Sequence, residues 1–86
     1  MPRRKKKRRK GRSFDRHHRL PSSRGGGNEE RNISIVPSHE HRAFHLLFAN
    51  KTAPEIAEVL NRIWIDPDFR LVAKPTPDYF RNRGVI

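Results

Sequence analysis

Residues 32–50 read NISIVPSHEHRAFHLLFAN, and this stretch decides the fold. Its first six residues alternate, are rich in β-branched side chains and end at a proline, the pattern of a short strand over 32–37. Ser38 then offers an N-cap for a helix that runs to about Ala49 and is closed by Asn50 and Lys51. At the helical repeat, Phe44, Leu47 and Phe48 make an apolar stripe. His41 and His45, four residues apart, stand one above the other at its edge. His39 points elsewhere and receives no role.

Upstream of this stretch, Ser13 to Leu20 is expected to form a first short strand, with Phe14 and Leu20 its only apolar anchors. Between the two strands, PSSRGGGN (residues 21–28) is a concentrated loop signal, continued by polar residues to Arg31. Downstream, Thr52-Ala-Pro-Glu55 has the form of a capping box with proline in the tolerated first turn. A second helix to about Trp64 should follow, with Ile56, Val59, Leu60 and Ile63 on one face, packed against the stripe of the first helix. Beyond Asp66-Pro67 the prolines at 75 and 77 interrupt any periodicity, and irregular structure is expected, pinned by Phe69, Leu71, Val72, Tyr79 and Phe80. Trp64 and Phe80 read as core or edge packing.

All five histidines fall between positions 17 and 45. Two histidines at i and i+4 on one helix converge on a point and can hold one cation. Adjacent residues of a strand face opposite ways. In the pair His17-His18 one imidazole can therefore supply a third ligand while the other is free to act as a base. Imidazole ligands suit transition ions, with coordination positions left for phosphate and water. Asn32, at the start of the second strand, can hold the intervening loop or the base through its amide, or serve simply as a turn residue.

The charge distribution names a partner. The 86-residue chain carries a net +11, and residues 1–12 hold nine of its cations and no acid: Arg3, Arg4, Lys5, Lys6, Lys7, Arg8, Arg9, Lys10 and Arg12. The other 74 residues set eleven Lys or Arg against nine Asp or Glu. A basic run without apolar residues buries nothing and is expected to be a disordered tail. Its natural partner is a polyanion, because phosphate neutralisation releases counterions; a solubilising tail or a nuclear localisation run would have the same composition. The basic start lacks the apolar segment of a secretory signal, and no stretch approaches a membrane span, so a cytoplasmic protein without a membrane partner is expected. With no cysteine there is neither a disulfide framework nor a thiolate zinc site. A chain this small, 33% hydrophobic, has a modest core to offer, and a metal or partner commonly supplements it.

Read from Asp15 to His45 as Asp-x-His-His-x-x-Pro-x-Ser-x-Gly-Gly…Asn32-Ile…His41-x-x-x-His45, the sequence resembles the HNH endonucleases, and most of all the ββα-metal core of the colicin-type DNases. The resemblance covers a little over a third of the chain, and its specificity lies in the combination. The cysteine pairs of many HNH domains are absent, as in the colicin-type branch, whose members carry a much larger body.

The resemblance implies that His17, His41 and His45 ligate one divalent ion (Zn, Mg, Mn or Ni). It also implies that His18 is the general base, that Asn32 orients it through the loop, and that Asp15 is an acid stabilising the site. The implied reaction is hydrolysis of a phosphodiester: His18 takes a proton from water, which attacks phosphorus in line, with charge stabilisation from the metal. Arg16, Arg19, Arg24 and Arg42 stand ready to clamp phosphates. The expected architecture is α+β. A disordered basic tail (1–12) precedes a ββα-metal core (13–50), an accessory helix (51–65) and an irregular C-terminal segment (66–86). The expected function is metal-dependent hydrolysis of the phosphodiester bonds of DNA; as nucleic-acid partner DNA is favoured, with RNA left open. The alternative is a non-catalytic RNA- or ribosome-associated protein that keeps the metal scaffold as a folding staple.

Overall fold

The structure, a computed structural model, describes residues 13–82. The basic tail and its nine cations lie outside the described residues. Two compact units divide the chain, Met1–Thr52 and Ala53–Ile86.

The first unit is built on an antiparallel pair, β1 (Phe14–His18) and β2 (Ile33–Pro37). The register sets Asp15 opposite Val36 and His17 opposite Ser34. These four residues share one face, and the helix α1 (Ser38–Phe48) covers it. The other face carries Phe14, Arg16 and Ile35, all exposed. The ladder is extended at both ends: Arg19 N donates to Asn32 O (2.8 Å) and Ser38 N to Ser13 O (2.9 Å). The expected β1 was longer by three residues. It stops at His18 because the chain turns at Leu20-Pro21 into a 3-10 turn (Ser22–Arg24) that ends on Gly25 at φ 98°.

Ser38 departs from the sequence expectation. Pro37 occupies the cap position and Ser38 is the first helical residue; its hydroxyl donates to Asp15 Oδ1 (2.8 Å) instead of capping α1. At the far end Ala49 takes φ 49° and donates its N–H to His45 O (2.9 Å). On the stripe, Phe44 and Phe48 are half-buried while Leu47 is exposed.

The second unit begins with α2 (Ala53–Val59), which continues as a π-helical turn, Leu60–Trp64, closed by Ile65 N donating to Leu60 O (2.9 Å). A π turn inserts one residue into the helical repeat. The expected stripe therefore breaks: Ile56, Val59 and Leu60 are half-buried, but Ile63 and Trp64 are 60% and 58% exposed. Asn61 clasps the backbone of Leu71 from both sides, donating to its O and accepting from its N (both 2.8 Å). The expectation of irregular structure over 66–86 is corrected by a short helix, α3 (Pro77–Asn82). Pro77 opens it at the position where a missing N–H is harmless, so this proline starts a helix rather than breaking one. Phe69, Leu71, Val72, Tyr79 and Phe80 are all exposed, as is Trp64, so none of them is a buried core residue.

Among the described residues no apolar side chain is fully buried, and the one buried residue is Asn32. No helix among them is long and apolar enough to cross a membrane.

Candidate metal centre and cleft

His17 reaches the site from the covered face of β1, and His41 and His45 from successive turns of α1. The strand's pleat and the i, i+4 spacing bring the three imidazoles together. Each offers one ligand nitrogen, and these nitrogens lie within 4.8 Å of one another. The rings meet edge to face, with centroids 5.2 Å apart for His17–His41, 6.0 Å for His17–His45 and 4.6 Å for His41–His45. Phe44 closes one side, its ring edge-on to His17 at 4.8 Å.

The donor set fits a metal ion. Nε2 of His41 and Nε2 of His45 are 3.0 Å apart. Two nitrogens of a tetrahedral zinc site are separated by roughly 3.3 Å. His17 Nδ1 is buried and has no hydrogen-bond partner among the described residues. Burial, and then the neighbouring His41 and His45, hold the His17 imidazole below its ordinary pKa of 6.5, which favours the neutral form a metal requires. Three imidazoles suit Zn or Ni better than Mg, which prefers oxygen.

Asp15 braces this set. Its Oδ2 accepts from His41 Nδ1 (2.9 Å) and its Oδ1 from the Ser38 hydroxyl. These two hydrogen bonds hold the carboxyl below its usual range. With Nδ1 committed to Asp15, His41 presents Nε2 to the centre, the arrangement in which a carboxylate fixes a ligand's tautomer and direction.

A cleft of about 250 Å³ opens beside the histidines, lined by Arg16, His17, His18, Pro21, Ser22, Ser23, His41, Phe44, His45 and Asn50. His18 thus shares the cleft with the three candidate ligands, and its Nε2 donates to Asn28 Oδ1 (2.8 Å). Asn32 makes no side-chain hydrogen bond to His18. Its amide accepts from Leu20 N (2.8 Å) and donates to Leu20 O (3.1 Å) and Gly27 O (2.9 Å), which fastens the loop between the strands. Asn32 is therefore a clamp on the loop rather than a hydrogen-bond partner of His18. Gly26 completes the clamp: a Cβ there would lie 1.8 Å from Leu20 O and 3.0 Å from Asn32 Nδ2. The loop is also tied to the exit of α1, where Asn50 Nδ2 donates to Ser23 Oγ (3.0 Å) and Arg24 Nη1 to Asn50 O (3.2 Å).

Of the four arginines expected at the site, Arg16 lines the cleft. Arg19 turns to Arg31 O (3.3 Å) and Arg24 to Asn50, while Arg42 is exposed on α1, near enough to Asp15 to lower its pKa but outside the cleft. His39 is exposed beside Glu40, as its helical position implied. Sequence reasoning missed Asn28, Ser38, Ser22, Ser23 and Asn50. The only signal for Asn28 was an amide at the end of a glycine run, a composition equally natural for a plain loop.

In comparison with known proteins, the chain matches no family model, no curated protein and no solved structure.

Proposed function

We propose that the chain is a small metal-dependent endonuclease of the HNH type that hydrolyses phosphodiester bonds, with DNA as the favoured substrate and RNA as the second. One observation carries the reading: three imidazoles converge to within 4.8 Å and a fourth, His18, opens into the same cleft with one nitrogen already committed to a loop amide. His17, His41 and His45 would hold the ion. A bound divalent ion supplies Lewis acidity at a phosphate. His18 then accepts a proton from the attacking water, and Arg16 with the hydroxyls of Ser22 and Ser23 supplies donors for phosphate oxygens along the cleft wall. Asp15 holds His41 in direction, and Asn32 holds the loop that carries the wall. The nine cations of residues 1–12 give the grip on the polyanion. The proposed setting is the cytoplasm.

One observation favours a second reading. Since no apolar side chain is fully buried among the described residues, a metal at the three histidines would act as a folding staple whatever the chemistry. A nucleic-acid-binding protein, RNA- or ribosome-associated, could keep the centre for that purpose alone.

Plasmid nicking by the purified protein with Zn²⁺, Ni²⁺, Mn²⁺ or Mg²⁺ separates the two. For a nuclease, His18→Ala lowers cleavage by the roughly 10²–10⁴-fold that a general base contributes, with metal content and DNA affinity kept. His45→Ala loses metal, stability and cleavage together. Fully metal-loaded wild-type protein that leaves plasmid and structured RNA intact decides for the binding protein.

A further inference from the structure

We infer that Asn28 is the positioning residue for His18: its side-chain oxygen fixes the tautomer and the direction of that imidazole, so that Nδ1 is the nitrogen left for chemistry. The inference rests on the proposed role of His18 as base.

The observation is a single side-chain pair, His18 Nε2 and Asn28 Oδ1 at 2.8 Å. An amide oxygen only accepts, so Nε2 carries the hydrogen, and in a neutral imidazole the lone pair is then on Nδ1. His18 is the last residue of β1 and lines the cleft next to His17. A strand end gives a side chain little lateral support, since no later residue of β1 flanks it. Asn28 supplies that support from the far side of the loop. It can do so because Asn32 ties Leu20 and Gly27 to one amide, which brings the residue after Gly27 back over the end of β1. The division of labour is therefore between two asparagines. Asn32 is buried and bonds only to backbone, so it fixes the loop path. Asn28 is exposed and bonds to the imidazole itself.

The same geometry explains why the acceptor is an amide and not a carboxylate. Glu29 and Glu30 follow directly in the chain, yet the oxygen facing His18 belongs to the neutral Asn28. A carboxylate there would bring negative charge beside a cleft whose proposed substrate is a phosphodiester. A neutral acceptor directs the ring without adding that charge.

The test uses the full-length, metal-loaded protein and two variants, Asn28→Leu, which removes the acceptor at similar size, and Asn28→Asp, which restores an acceptor oxygen. Long-range ¹H–¹⁵N correlation spectra assign the His18 tautomer in each. The inference expects an Nε2–H imidazole in wild type, a mixture of tautomers or an Nδ1–H form in Asn28→Leu, and recovery of Nε2–H in Asn28→Asp. In plasmid nicking, Asn28→Leu should lose about tenfold or more in kcat, up to but not beyond the ~10²–10⁴-fold that the general base itself contributes, while KM and metal content stay within about twofold of wild type. Metal content and the dispersion of the amide spectrum confirm that the variants are folded. An Nδ1–H tautomer in wild type overturns the inference, as does a tautomer that Asn28→Leu leaves unchanged. If the wild type keeps Nε2–H and the variant loses it, yet no protein cleaves with any ion, the positioning contact stands and the nuclease reading fails.

Discussion

Asp15 Oδ2 and His41 Nδ1 lie 2.9 Å apart, joining the first strand to the helix through the one nitrogen of His41 that does not face the other histidines. The carboxylate also receives the Ser38 hydroxyl, so a strand residue, the first residue of α1 and a candidate ligand one turn later are held by one group. The bond decides which nitrogen of His41 is offered to a metal.

Asp15→Ala should accordingly weaken metal binding by about 10–100-fold, the usual effect of losing a carboxylate behind a ligating histidine. Ser38→Ala, which leaves the Asp15–His41 bond in place, should cost less. Competition titration against a chelating dye measures both, and equal affinities for wild type and Asp15→Ala would contradict the bracing role.

Acidification should destabilise the metal-free protein in two steps. The folded-state pKa of His17 lies below its unfolded value of 6.5, so as pH falls the unfolded chain takes up the proton first. Its contribution is fully present above 6.5 and is lost as pH falls through the depressed folded value. Asp15 follows the same direction in a lower window: its contribution is present above 3.8 and lost as pH falls through a value held lower by His41 and Ser38. Urea midpoints of chelator-treated protein, compared with His17→Phe, should show the upper step in wild type and a smaller one in the variant. A wild-type midpoint that rises from about pH 7.5 to about pH 5.5 would contradict the burial of His17.

Asn32→Ala removes three hydrogen bonds at once and leaves Leu20 N, Leu20 O and Gly27 O without that partner. The expected loss is about 2–4 kcal/mol in chemical denaturation. Gly26→Ala should be similarly damaging, because its new Cβ has no room beside the carbonyl of Leu20. Both variants keep His17, His41 and His45, so metal binding at high ion concentration should survive while cleavage does not.

Ala49→Gly should have the opposite sign. A φ of 49° is unfavourable for a residue with a Cβ and open to glycine, and relieving it should stabilise the first unit by about 1 kcal/mol. Thermal melts of the two metal-loaded proteins give the answer, and a lower Tm for the glycine variant would show that Ala49 is not strained.

Much of the first unit was legible because its signals are local. Alternation ending at Pro37 fixed β2, and the i, i+4 relation of His41 and His45 needed nothing beyond the helix itself. Strand alternation let one of His17 and His18 meet them and left open which; the choice of His17 was what the resemblance implied. What could not be read depends on contacts far apart in sequence. Ser38 had the composition of a cap, but its hydroxyl goes to an acid 23 residues away. Asn28 meets His18 only because of the path that the loop takes after Gly27. In the second unit the π turn moved Ile63 out of a stripe that a regular helical repeat would keep together. At Pro77 the same residue type that ends helices begins one.

Asn32 gives the two ends of the loop between the strands one shared point of failure. Leu20 and Gly27, near its two ends, are gathered on a single side-chain amide, and among the described residues no buried apolar side chain stands behind them to hold either end alone. When that amide lets go, the cleft wall at Ser22 and Ser23 and the Asn28 tether lose their common support and only the ties to Asn50 remain, a local opening that leaves the two-stranded ladder in place. Amide hydrogens of Leu20, Arg24 and Gly26 would then exchange at one common rate, faster than those of β1 and β2. That side of the cleft is thus a hinged piece, latched at Asn32 and tied a second time at Asn50.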